Sequence, residues 1–293
     1  MSNYDFIVIG GGIAGASVGY ELASHGHVLI LERERVAGHH STGRSAAVLT
    51  ENYGNSVIRR LTLATRPFLE KPPTGFTENP LVSRRKMMWI AREDQREELA
   101  GTLSESQRLV PSIYSVNALQ ARNLCPVLRT EYVSFGIVEP NALDLDVHAI
   151  HQAFLRGLRR KGGKIEVKSD VAAMSLDRSI WTVQTATKEY RAPVVVNAAG
   201  AWCDVIGNMA GARPVGLVPK RRTAFIFDGP SSLEGESLDA WPVVIDAHED
   251  FYFKPESGKL LGSPADETPM DPCDATVDDL DIAVAAERLQ NAT

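Results

Sequence analysis

The residues best placed to do chemistry are Gly10-Gly11-Gly12-Ile13-Ala14-Gly15, which follow the apolar run Phe6-Ile7-Val8-Ile9. A second apolar run, Val28-Leu29-Ile30-Leu31, ends on Glu32. This is the spacing of a strand, turn, helix and strand that grip a dinucleotide. Gly10 suits the tight turn, Gly12 lets backbone approach a pyrophosphate, and Gly15 lets the helix lie close to the strand. The helix N-terminus points unpaired N–H groups at the phosphates. Glu32, seventeen residues past Gly15, stands where a carboxylate accepts hydrogen bonds from both ribose hydroxyls. A glycine-rich turn with no ligand accounts for the spacing but gives the acid no purpose.

Two further stretches carry polar or small residues with a possible task. Gly38-His39-His40-Ser41-Thr42-Gly43-Arg44-Ser45-Ala46-Ala47 is too small and polar to pack a core. It is either a solvated loop or a segment laid across a cofactor, with hydroxyls from Ser41, Thr42 and Ser45 and a fixed positive fork from Arg44. Val194-Val195-Val196-Asn197-Ala198-Ala199-Gly200-Ala201-Trp202 reads as a strand that ends in small residues and opens a helix. Its continuous valines predict burial on both faces, either as an ordinary central strand or as one whose end packs a nucleotide against backbone. His148 and His151 stand three apart on a predicted helix. A zinc site takes three or four ligands, so no metal is expected there.

These residues need a framework, and the bulk of the chain supplies one. Its 293 residues can bury a large core, and its hydrophobic fraction of 44% is that of a globular protein. A net charge of −6 argues against nucleic acid as a partner. Cys125, Cys203 and Cys273 are far apart without ligand spacing and read as reduced cysteines of a cytoplasmic protein. No apolar run reaches the roughly eighteen residues of a membrane span, which leaves peripheral membrane contact open.

Along the chain, a helix is predicted over 13–24 and closed by Gly26, and another over 57–69 stopped by Pro72-Pro73. A single strand over 81–91 and a polar helix over 94–108 follow. Next comes a strand over 132–138, with Gly136 marking either a bulge or a close approach. From Asp146 a helix carries Val147, Ile150, Phe154 and Leu158 on one stripe. Short strands are expected over 164–167, 171–174 and 181–184. Beyond Pro214 come antiparallel strands over 223–227, 241–245, 251–254 and 260–261, then a last helix through Leu289 with Thr276 and Asp279 as N-cap pair.

Taken together, the glycine turn, Glu32, the His40–Ser45 loop and the Val196–Trp202 strand end resemble the FAD-dependent amino acid oxidoreductases of the D-amino acid oxidase superfamily. The likeness runs over essentially the whole chain and is greatest to the branch that contains D-arginine dehydrogenase. The resemblance implies an α/β fold in which a Rossmann-like FAD-binding domain, 1–77 and 140–217, meets a mixed, largely antiparallel substrate or capping domain, 78–139 and 218–293. It implies FAD, with matching positions at Gly10, Gly12, Gly15, Glu32, Arg33, Ser41, Thr42, Arg44, Ser45, Ala46, Val171, Ala198, Gly200 and Trp202. An NAD-dependent dehydrogenase leaves the loop after the second strand unexplained.

For substrate, the family pattern matches at Thr50, Tyr53, Arg222 and Tyr252. Arg222 is then a bidentate anchor for an amino-acid carboxylate and Tyr252 a second donor; otherwise they are a surface basic cluster and a core aromatic. No catalytic base is identified. The D-arginine branch has a glutamate where this chain has Met87, and a histidine where it has Val48. An arginine side chain would there lie desolvated and unpaired, so an apolar or thioether D-amino acid is the expected substrate. The family also continues past the position of Thr293 with a second substrate arginine and a last glycine-rich helix. An exposed apolar sheet edge and an open flavin site are therefore expected. The functional expectation is oxidative deamination of a D-amino acid to a 2-oxo acid and ammonia, with oxygen or a quinone as electron acceptor. Its alternatives are oxidation of another small amine, of the glycine, sarcosine or proline type, and an inactive FAD-binding fragment.

Overall fold

The computed structural model describes residues 2–231 and 237–293. Strands Phe6–Ile9, Val28–Leu31, Lys164–Glu166 and Val194–Asn197 form one parallel sheet, with 164–166 and 194–197 at its edges. The apolar runs are continuous because both faces of the central strands are covered. Val8, Val28 and Ile30 face the helices Ile13–Leu22 and Val147–Arg160, while Ile7, Ile9, Leu29 and Leu31 face Val171, Val183, Tyr190 and Ile206. Asp146 caps the second of these helices by accepting from Ala149 N at 2.7 Å, and the predicted stripe is its buried face.

A second, seven-stranded sheet runs in the order 225–227, 259–263, 252–256, 243–246, 87–91, 135–139 and 114–116. Every pair in it is antiparallel except Val243–Asp246 with Met87–Ala91. The helix Asp279–Ala292 packs Leu289 and Ala292 into the same core as Met88, Ile90, Val244, Phe253 and Leu260. The predicted squeeze at Gly136 is present: a Cβ there would lie 2.9 Å from Val116 Cγ2 and 3.0 Å from Trp89 O. This mixed α/β architecture is the expected fold class.

Four expectations need correction. The stretch 81–91 is two strands, not one: Val82–Arg84 joins a three-stranded sheet with Val48–Leu49 and Leu143–Leu145, and Met87–Ala91 joins the seven-stranded sheet. The break is pinned at Arg85, whose side chain bonds Asp144 at 2.6 Å and the Trp241 carbonyl at 2.9 Å. The first helix ends at Leu22, and Gly26 serves a different purpose. Its missing Cβ makes room for Asp5, whose carboxylate accepts from His27 N at 2.6 Å. The last helix is capped by Asp278, immediately before it, with Leu280 N at 3.0 Å. Val194–Asn197 is an edge strand among the described residues, with Val194 42% exposed, because the valines between its ends pack on neighbouring layers while its outer edge pairs with none of those residues. No helix among the described residues is long and apolar enough to cross a membrane.

Candidate active site

The glycine turn is built as its spacing demands. Gly10 has φ +106°, in the region that favours glycine, and a Cβ on it would lie 2.3 Å from the Ala198 carbonyl oxygen. The turn is therefore pressed against the small-residue end of the 194–197 strand. A Cβ on Gly15 would lie 1.8 Å from Gly10 O, so the helix can approach the turn only through a glycine. Gly12 precedes the helix without a side-chain cap of its own; Thr42 Oγ1 accepts from Ile13 N at 3.0 Å, and the next helical N–H groups have no acceptor in the helix.

A cleft of about 590 Å³ opens beside this turn. It is lined by Gly10, Gly12, Glu32, Arg33, Ser41, Thr42, Arg44, Ser45, Ala46, Val171, Ala198, Gly200 and Trp202, which is the predicted cofactor set apart from Gly15. Glu32 does more than face the cleft. Its Oε2 accepts from Gly11 N and its Oε1 from Glu34 N, each at 2.8 Å. Each oxygen keeps a lone pair for a ribose hydroxyl. Next to Glu32 in sequence, the Arg33 guanidinium lies 4.5 Å from the centre of the Trp202 ring, with the His40 ring against the same indole at 4.7 Å. Arg44, expected to offer its fork to phosphate, is paired with the Asp274 carboxylate and donates to Ala275 O at 2.9 Å. That guanidinium also lies 3.3 Å from His39, and ligand atoms of His39, His40 and Asp274 lie within 4.8 Å of one another.

The substrate set divides. Arg222 and Tyr252 line the same cleft as the glycine turn. Arg222 donates to Asp266 O at 2.9 Å and Glu267 Oε1 at 3.1 Å, keeping further donors. Tyr53 does not line the cleft; burial, then Glu249, holds its phenol above the usual range against the opposing charge of Arg222, so it remains a donor. Thr50 also lies off the cleft lining, and its hydroxyl donates to buried Glu139 at 2.7 Å. Glu139 takes Glu51 N as well, at 2.9 Å, and burial pushes its carboxyl above the usual carboxylate range. Met87, 4% exposed, and Val48 are apart from the cleft, packed with Ala142 and Val243.

A family model described as FAD dependent oxidoreductase matches residues 5–292. The chain belongs to that family. Human dimethylglycine dehydrogenase is 24% identical over 263 residues, covering 88% of this chain and 30% of that protein, so the chain spans about a third of that relative. An uncharacterized oxidoreductase of Bacillus subtilis is 24% identical over 298 residues, covering 96% of this chain and 75% of its own length. Among solved structures, glycine oxidase from Geobacillus kaustophilus superposes with a TM-score of 0.82 at 19% identity, over 100% of this chain and 79% of that one. L-proline dehydrogenase from P. horikoshii gives 0.84 at 18%, over 99% and 77%. These likenesses show the fold, and the family model places the chain among the FAD-dependent oxidoreductases.

The cleft fits that cofactor. The turn and helix N-terminus offer backbone N–H groups to a pyrophosphate, Glu32 offers acceptors to a ribose, and the glycines leave space that any side chain would fill. Sequence reading missed several residues at this site. The segment 270–275 lines the cleft through Met270, Asp271, Pro272, Cys273 and Ala275, and nothing local marks it. His151, weighed above only as a metal ligand, bonds Gly11; its place four residues after Val147 and three before Phe154 puts it on the buried stripe, a signal that was available.

Proposed function

We propose that this chain oxidises the Cα–N bond of a D-amino acid. Bound FAD would supply the hydride acceptor for Cα; with the amine giving up a proton, the substrate would become an imine that takes up water and releases ammonia to give a 2-oxo acid. The observation that carries this reading is the presence of Arg222 and Tyr252 on the lining of the cleft that also holds the glycine turn. Arg222 would pair with the substrate carboxylate and Tyr252 would donate to it, with Tyr53 beside them as a protonated phenol. Their work is positioning, which makes transfer from a held Cα–H effectively unimolecular. In this reading residues 1–77 and 140–217 hold the cofactor, and 78–139 with 218–293 serve the substrate.

The side-chain preference is carried by the resemblance alone: Met87 and Val48 stand where the D-arginine branch has a glutamate and a histidine, although neither lines the cleft. An apolar environment there gives a cationic side chain no counter-charge, and the unpaired charge costs several kcal/mol. D-Methionine and D-leucine are therefore expected to outrun D-arginine. A second reading, oxidation of a small amine of the glycine, sarcosine or proline type, draws on relatives named glycine oxidase, dimethylglycine dehydrogenase and L-proline dehydrogenase. One assay separates the two: anaerobic bleaching of the flavin band near about 450 nm by a panel of these compounds. The expected order is D-methionine and D-leucine first. Faster bleaching by D-arginine overturns the side-chain argument, and bleaching by glycine, sarcosine or proline alone establishes the second reading.

A further inference from the structure

His151 is buried, 3% exposed, and takes no part in the chemistry above. Its Nε2 lies 2.8 Å from the Gly11 carbonyl oxygen. A carbonyl only accepts, so Nε2 carries the hydrogen and donates. The N–H of Gly11 meanwhile donates to Glu32 Oε2 at 2.8 Å. One residue of the turn is thus held at its nitrogen by the second strand and at its oxygen by a helix 140 residues away in sequence. The same imidazole also touches the start of the polar loop. Gly38 has φ +81°, and a Cβ on it would lie 2.9 Å from His151 Cε1. A single ring therefore braces both the turn and the loop that carries Ser41, Thr42 and Arg44.

We infer that His151 is a positioning residue for FAD: by donating to Gly11 and packing under Gly38 it fixes the glycine turn and the 38–47 loop in the mutual arrangement that receives the cofactor. The inference rests on FAD binding in this cleft. It also gives the site a pH dependence. Burial holds the imidazole below the usual histidine range, His148 on the same helix acts in the same direction, and the Gly11 carbonyl and Glu32 act against it. Behind Glu32, His40 Nε2 lies 3.1 Å from Glu34 Oε1. The sign follows: Nε2 donates to Gly11 in both protonation states, but a second proton on Nδ1 makes a buried cation that the fold disfavours, so the packing beneath Gly38 is fully present above the ordinary histidine pKa of about 6.5 and gives way as pH falls through the lower, folded value. The protonated ring would be a buried cation wedged against Gly38.

The test is titration of the apoprotein with FAD, read by quenching of flavin fluorescence, for wild type, His151→Leu and His151→Gln between about pH 5.5 and 8. Leucine fills the space but cannot donate, and is expected to weaken FAD binding roughly tenfold at the upper pH. Glutamine donates through its amide without titrating. It is expected to keep near wild-type affinity at the upper pH and to lack the acid-side loss that wild type shows. If the leucine variant does not fold, the comparison of wild type with glutamine decides. Leucine binding FAD as tightly as wild type, or an identical acid-side loss in wild type and the glutamine variant, overturns the inference alone. Wild type that takes up no FAD at any pH overturns the cofactor site and the inference together.

Discussion

Gly15→Ala is expected to yield a protein that no longer retains flavin. The added Cβ would sit 1.8 Å from the Gly10 carbonyl oxygen, and neither atom belongs to a side chain that can turn away. Either the helix lifts from the turn or the turn opens, and in both cases the N–H groups that would meet the pyrophosphate lose their aim. Gly10→Ala acts through a second clash, 2.3 Å from Ala198 O, compounded by a φ of +106° that an alanine adopts only under strain. Overpacking against flexible side chains costs about 1–3 kcal/mol, and a backbone clash costs more. The ratio of flavin to protein absorbance in the purified variant is expected to fall below about a tenth of the wild-type ratio, with a lower melting temperature. A near-normal ratio would mean that the cofactor does not depend on this turn.

Arg222→Ala is expected to remove activity while leaving flavin in place. Hydrogen bonds to charged groups contribute about 1.5–3 kcal/mol each, so losing a bidentate carboxylate pair lowers kcat/KM by about 10²- to 10⁴-fold. Arg222 is not bonded to the glycine turn or to Glu32; its partners are Asp266 O and Glu267. Flavin content should therefore be unchanged. Arg222→Lys restores charge but not the planar fork, and partial recovery distinguishes a carboxylate anchor from a residue that only holds the 266–267 segment. A variant with unchanged kcat/KM removes Arg222 from the substrate site.

The cradle was legible in the sequence because each part obeys a local rule. Gly10 needs a positive φ, Gly15 a contact with no Cβ, and Glu32 the end of a strand one unit further on. Partners brought together by tertiary packing leave no such trace. Asp274, 230 residues from Arg44, carries no local mark of its pairing, and nothing near Thr50 announces Glu139. The stretch 81–91 reads as one strand although Arg84, Arg85 and Lys86 interrupt it, because Arg85 shows its purpose only once Asp144 and the Trp241 carbonyl are beside it. The valines of 194–197 look alike in an edge or a central strand, since facial packing sets their type while edge pairing involves only backbone.

The central claim is that the cleft between the glycine turn and Arg222 holds FAD. Its most direct test is the visible spectrum of the purified protein after incubation with FAD and removal of free cofactor by gel filtration. The expected result is a pair of flavin bands near about 370 and 450 nm that travel with the protein and are lost in Gly15→Ala. A colourless wild-type protein that takes up no added FAD would contradict the account.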